Sequence, residues 1–244
     1  METGEITVAA SLAALASAQN CIAHNLANLN TPSFKRNIPR FIEYLTNMQS
    51  QFGRSLPIPV YMEGTDFGQG DMSVTGNDLD IAINGKGFFK VKTPWGIRYT
   101  RVGSLHPNDK GELCTPSGYV LLGKDDQPIV VGLSEGEGTQ ILIDPIGTVR
   151  TKSGKTLGKI GIYRFENPEK LIPQGDGLYI CPSAMKPIPD TKSRIEQGAL
   201  ERSNVDAMKE LVVMIINKRN FEAASKALVQ VHKSIDSFIS VAKQ

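Results

Sequence analysis

The sequence predicts an α+β protein in which long terminal α-helices form a coiled-coil-like pair around a central, mainly antiparallel β-domain. Three observations predict it. Apolar residues recur at alternating steps of three and four at both ends of the chain, between those ends the period falls to two, and clusters of Gly, Pro and Asn cut the middle into short runs. The 244 residues are 40% hydrophobic and 21% charged, which is the balance of a globular chain able to bury a sizeable core.

The first element is the N-terminal helix. Leu12, Leu15, Gln19, Ile22, Leu26 and Leu29 follow the three-four rhythm, with Val8 extending it backwards. Interspersed alanines favour helix, and Thr3 or Thr7 is expected to cap it. Asn28 or Asn30 is expected to take the left-handed conformation past the last turn, and Pro32 prevents the helix from resuming. Glu2 and Glu5 precede the apolar run and no Lys or Arg does, the wrong sign for a secretory signal, so no cleaved leader is expected.

Residues 37–75, with Pro39, Pro57 and Pro59, read as an extended linker. Residues 76–197 read as the β-domain. "GFFKVK" and "IRYTR" flank Thr93, Pro94, Trp95 and Gly96 as a β-hairpin, and "ELCT", "YVLL" and "PIVV" follow as an antiparallel meander. "GKIGIYRF" and "GLYI" carry the β region to about residue 181.

The last element, within residues 198–244, is a helix from Val205 to Ala242. Phe221, Ala224, Leu228, Val231, Ile235, Phe238 and Ala242 repeat the seam, preceded by Met208, Leu211, Val212 and Ile215. Ser203 with Asp206 three residues on reads as a capping box, with Asn204 and Val205 between them at the helix start. Either both helices fold back on the β-domain as ordinary core, or their narrow stripes meet other helices; a seam of two residues per heptad suits a helix better than a sheet. The residues expected to pack in such an assembly are Leu12, Leu15, Ile22, Leu26, Phe221, Leu228, Val231, Ile235 and Phe238.

Chemistry is sparse. A net charge of +2 gives no excess for binding nucleic acid, and no run approaches the ~20 apolar residues of a membrane span. Cys21, Cys114 and Cys181 have neither disulfide rhythm nor metal-ligand spacing, and their odd number leaves the redox compartment open. His24, His106 and His232 are scattered singly. "SGKT" at 153–156 lacks the glycine a phosphate-binding loop needs, since Val149 stands there, and "GKGFFK" leads into a strand where a dinucleotide fingerprint must open a helix. Asp78 and Asp80 read as the polar outer face of a strand. No catalytic, cofactor-binding or metal-ligating residue is assigned, and the chain is read as a non-enzyme. A helix-clasping module for one partner, and an enzyme using the "SGKT" turn, stand as readings of other classes.

"NLANLNTPSFKR" resembles the signature of bacterial flagellar axial proteins, the rod and hook family, whose first helix ends in an Asn-Leu-Ala-Asn-x-Asn-Thr-x-Gly-Phe turn. Asn25, Leu26, Ala27, Asn28, Asn30, Thr31 and Phe34 match, Pro32 fills the variable position, and Ser33 replaces the glycine. "TGNDLDIAINGKGFFKV", "RYTRVGSLHPNDKGELCTPSGYVLLG" and "GALERSNVDAMKELVVMI" resemble later segments of the same family, in order, so the likeness covers nearly the whole chain. The proximal-rod kind is most similar, with a distal-rod or hook-type protein as the alternative. The resemblance implies a structural subunit with no cofactor, exported by the flagellar type III apparatus without a cleaved signal. It further implies residence in the basal-body rod crossing the periplasm, with copies of itself and other rod proteins as partners. Terminal helices building an inner tube, with the β-domain outside, are implied in the same way, as is a torque-transmitting helical shaft.

Overall fold

The computed structural model describes residues 2–46, 56–132 and 141–242, with side chains described over 7–40, 61–132 and 141–234. Two helices, α1 (Glu2–Ala27) and α2 (Ala207–Ala242), bracket the strands. The strands are β1 (Asn37–Thr46), β2 (Leu56–Thr65), β3 (Met72–Val74), β4 (Ile81–Asn84), β5 (Phe88–Thr93), β6 (Gly96–Thr100), β7 (His106–Pro107), β8 (Leu113–Cys114) and β9 (Val120–Leu121). They continue as β10 (Ile141–Ile143), β11 (Thr148–Thr151), β12 (Thr156–Lys159), β13 (Ile162–Arg164), β14 (Ile172–Gly175), β15 (Leu178–Ile180), β16 (Ile188–Pro189), β17 (Arg194–Gln197) and β18 (Ala199–Glu201). All strand pairings are antiparallel among the described residues.

The chain forms two compact units. One comprises Met1–Leu29, Asn37–Asp66 and Val205–Gln244; the other comprises Asn30–Arg36 and Phe67–Asn204. In the first unit, β1 and β2 form a two-stranded ribbon where a linker is expected. The prolines that suggest a linker fit the ladder. Pro39 pairs with Glu63, Pro59 with Glu43 and Pro57 with Leu45, so the proline-bearing pairs are all an even number of residues apart. One alternate set of pairs in an antiparallel ladder points its N–H groups away from the partner strand, and there a missing N–H costs nothing.

In the second unit the expected hairpin is present as β5 and β6, closed by Pro94 and Trp95, with Thr93 Oγ1 donating to Gly96 O at 2.7 Å. The strands after it do not continue the meander outward from β6. The main sheet runs β14-β15-β6-β5-β9-β8-β7, so β7, β8 and β9 return to the other side of β5. This makes β5 central, and its face alternation supplies two cores. Phe89 and Val91 join Ile81, Ile83, Leu113, Leu121, Val149 and Ile195 on one side, while Phe88 joins the aromatic cluster of Tyr99, Tyr163, Phe165 and Tyr179 on the other. Edge-to-face contacts such as Tyr99 with Phe165 at 4.9 Å fill the second core.

The late strands return to the early ones. β17 pairs with β4 and β18 with β3, which brings residues 194–201 beside residues 72–84. Asp80 is not on a solvated strand face: it is buried, and its Oδ2 accepts from Thr75 Oγ1 at 2.7 Å. "SGKT" is the exposed turn between β11 and β12, with Thr151 N donating to Lys155 O at 2.9 Å, and no helix follows it to aim amides at a phosphate.

Candidate assembly interface

The helical unit is held by polar groups that the apolar rhythm does not single out. Ala14, Ala18, Cys21, Ile22 and Asn25 are buried among the α1 residues whose side chains are described. Asn25 is fully buried; its Oδ1 accepts from Asn37 N at 2.8 Å, and its Nδ2 donates to Asn37 O at 2.8 Å and to Glu210 Oε2 at 3.2 Å. Its amide thus pairs with the first residue of β1 as a neighbouring strand would, which accounts for an asparagine at this place. Six to ten residues back along α1, Asn217 Nδ2 donates to Leu15 O at 3.0 Å and Gln19 Oε1 at 2.8 Å. Since Asn25 meets Glu210 while Leu15 and Gln19 meet Asn217, the two helices run antiparallel where they touch.

On α2, Glu210 and Asn217 are buried, and Ala224, Ser225, Leu228 and Val231 are half-buried. The opposite face carries Met208, Leu211, Val212, Ile215 and Ile216 in solvent, with Met208 72% and Ile215 54% exposed. Leu12, Leu15 and Leu26 are half-buried, Ile22 is buried and Phe221 is exposed; the side chains of Ile235 and Phe238 lie outside the described residues. A groove of about 300 Å³ opens between Leu15, Gln19, Asn217 and Phe221.

The start of α2 differs from expectation. Asp206, not Ser203, is the capping residue, its Oδ1 accepting from Met208 N at 3.0 Å and Lys209 N at 3.2 Å. These donors, Lys209 first, hold the Asp206 carboxyl below its ordinary range. Asn204 belongs to the β-unit, where its Oδ1 accepts from Arg36 N at 2.7 Å and its Nδ2 donates to Gly68 O at 3.0 Å. Val205 is buried in the helical unit. At the other end of the chain α1 begins at Glu2, so Thr3 and Thr7 lie inside it and neither caps it.

The turn after α1 also departs from the prediction. Asn28 closes the helix, its N–H reaching His24 O at 3.2 Å and Asn25 O at 3.1 Å and its Nδ2 reaching His24 O at 2.9 Å. The left-handed residue is neither Asn28 nor Asn30 but Ser33, at φ 60°, where the resembled signature has glycine. Ser33 N donates to Glu201 O at 2.7 Å, and Phe34 O accepts from Asn204 N at 3.4 Å, so residues 33–36 run along the segment 201–204. Asn30, Thr31 and Pro32 are exposed.

The described residues offer no catalytic constellation. The Cys114 thiol lies 3.3 Å from His106 Nε2, yet burial pushes it above its ordinary pKa, opposite to what a nucleophile needs. Among the described residues no group of three or more His, Cys, Asp or Glu has the arrangement to hold a metal, and no helix is long and apolar enough to cross a membrane.

Lys35, Arg101, Glu201, Glu210 and Asn217 are buried polar residues that the sequence reading does not single out. Charge and period carry no signal for them. Only the pairing of β18 with β3, and of α2 with α1, encloses them.

Residues 7–35 match the family model described as flagella basal body rod protein, residues 82–151 the flagellar hook protein FlgE/F/G D1 domain, and residues 196–240 the flagellar basal body rod FlgEFG protein C-terminal model. The chain is 34% identical to the flagellar basal-body rod protein FlgF of Caulobacter vibrioides, over 85% of this chain and 84% of that protein. It is 33% identical to FlgG of Buchnera aphidicola subsp. Baizongia pistaciae, over 86% and 88%. FlgG of Caulobacter vibrioides is 30% identical, over 91% and 92%. With such identity across most of both chains, this protein belongs to the flagellar basal-body rod protein family.

Proposed function

We propose that the chain is a structural subunit of the flagellar basal-body rod, of the proximal-rod FlgF kind, whose terminal helices pack with those of neighbouring subunits into a helical, torque-transmitting shaft. The observation that carries this reading is the exposed row Met208, Leu211, Val212, Ile215 and Ile216 on a helix whose other face is already engaged by α1. An apolar stripe of this kind left in water is an association site. A contact between this row and a different surface of the next copy is heterologous, and repeats of it build an open helix unless the rotation closes a ring. Leu12, Leu15, Ile22, Leu26, Phe221, Leu228, Val231, Ile235 and Phe238 serve the same packing, in a coiled-coil-like arrangement of the terminal helices. Asn28, Asn30, Thr31 and Pro32 set the turn that ends α1.

FlgF is favoured over FlgG because, within one organism, the FlgF relative is the more similar, at 34% against 30%. In this reading the subunit performs no reaction. It leaves the cell through the flagellar type III apparatus without a cleaved signal, and it contacts copies of itself and other rod proteins where the rod crosses the periplasm.

The test is Ile215→Asp, with Leu228→Asp beside it. Ile215 is solvent-exposed in the single chain, so its replacement leaves the melting temperature of the purified protein unchanged, whereas burying an unpaired carboxylate between subunits is strongly unfavourable. Tagged Ile215→Asp is expected to be absent from purified basal bodies, and the cells to be non-motile. Incorporation at the wild-type level rules the reading out.

A further inference from the structure

Within the β-unit, three stretches far apart in sequence converge on one carboxylate. Lys35 Nζ donates to Glu201 Oε1 at 2.6 Å and to Gly68 O at 2.8 Å, and Gly70 N donates to the same Oε1 at 2.9 Å. Arg101 Nη1 stands 3.6 Å from Glu201 Oε2, and its guanidinium lies over the Phe88 ring at 4.9 Å. The side chains of Lys35, Glu201 and Arg101 are 0%, 1% and 2% exposed. Two cations therefore share one anion out of water. Among the described residues Arg101 Nε and Nη1 and Glu201 Oε2 have no hydrogen-bond partner, so the guanidinium depends on the opposing charge and the aromatic face for compensation.

The backbone is stitched at the same place. Glu201 O accepts from Ser33 N, Asn204 Oδ1 from Arg36 N and Phe34 O from Asn204 N. Gly70 is forced here, because a Cβ on it would sit 2.1 Å from Arg202 O. Lys35 and Glu201 are 166 residues apart, so this contact forms only when the two ends of the β-unit meet.

We propose that Glu201 is a latch: placed by the pairing of β18 with β3, it holds Lys35 and Arg101 and so gives residues 30–36 their conformation, and this strap is ordered only after β18 has paired. Without the carboxylate, two buried cations face each other and the strap loses its main anchor. Burial already pushes Arg101 below its ordinary pKa, with Glu201 the principal opposing influence. The two signature segments of the sequence, "NTPSFKR" and "GALERSN", are in this view the two halves of one device. Lys35 and Glu201 are its charged pair, and Ser33 and Asn204 its backbone contacts.

Hydrogen exchange of the purified full-length chain, read by mass spectrometry, tests the latch independently of any assembly. In Glu201→Gln, which keeps the shape and removes the charge, amides of residues 33–37 and 68–71 are expected to exchange roughly tenfold faster or more, the scale of losing a buried charge-assisted hydrogen bond. Amides of β5 are expected to keep wild-type protection. Unchanged exchange in the strap, or an equal rise in the strap and β5, overturns the proposal, the second outcome reducing Glu201 to ordinary core. Should Glu201→Gln not yield folded protein, Asn204→Ala removes the side-chain bonds to Arg36 N in the strap and to Gly68 O without touching the charges. It is expected to loosen residues 34–37 selectively, and wild-type protection there overturns the proposal equally.

Discussion

Ser33 pairs two unfavourable features at one residue, and removing them one at a time tests how the turn after α1 is built. Its φ of 60° is a left-handed conformation that costs an L-residue about 1–2 kcal/mol. Its side chain is 2% exposed and its Oγ has no hydrogen-bond partner among the described residues, a desolvation cost of about 1–3 kcal/mol. Ser33→Gly removes both. Against this stand about 0.8 kcal/mol for the buried methylene and about 0.4–1 kcal/mol for the freer unfolded chain. The balance is a stabilisation centred on ~2 kcal/mol, within about 0–4 kcal/mol, read as a rise in melting temperature of about 2–4 °C per kcal/mol for a chain of this size. Ser33→Ala removes the hydroxyl and keeps both the strain and the methylene, so its gain of about 1–3 kcal/mol should lie within about 1 kcal/mol of that of Ser33→Gly. Differential scanning calorimetry on the three proteins decides the matter. A Ser33→Ala protein less stable than wild type means that the hydroxyl has a partner, and a Ser33→Gly protein less stable than Ser33→Ala by more than about 1 kcal/mol means that the left-handed backbone carries no strain.

Other expectations follow from close packing, burial and capping. A Cβ on Gly103 would come within 1.6 Å of Ile81 O, whose own N–H bonds to Gly103 O, so Gly103→Ala should cost more than ~4 kcal/mol and abolish the soluble folded fraction; a native circular dichroism spectrum contradicts this. Burial pushes the Cys21 thiol up to about 11, so in native protein at pH 8 iodoacetamide should label Cys21 more than ~100-fold slower than in urea, as read by mass spectrometry; equal rates refute the burial. Asp206 has a folded-state pKa below its unfolded value, so its cap is fully effective above the unfolded pKa and is lost as pH falls through the folded one. Amides of Met208 and Lys209 should gain exchange, beyond the intrinsic pH trend, as the solution is acidified through the carboxylate range, and Asp206→Asn should abolish that dependence; the same profile in both proteins refutes the role.

How far the sequence spoke depends on the kind of signal. Periodicity is local, and it gives α2 within two residues of its start and the β5–β6 hairpin at its observed turn. Proline in β1 and β2 misleads because a residue type reveals a missing N–H but not whether the ladder needs it there. The asparagines after α1 mislead likewise. Both tolerate the left-handed conformation, yet the backbone takes it at Ser33, whose N–H is directed to Glu201 O by a strand that arrives at the far end of the chain.

Residue order by itself determined the helical ends, the strand-rich middle, the absence of a recognisable catalytic motif and the membership of a family, because each is written in spacing along the chain. The tertiary structure alone decided which polar groups lie inside. Asn25, Lys35, Arg101, Glu201 and Glu210 are ordinary surface residues by composition, and they are buried because segments up to 185 residues apart close over them. The desolvation of a polar or charged group is a property of everything packed around it, and no local stretch of sequence contains that information.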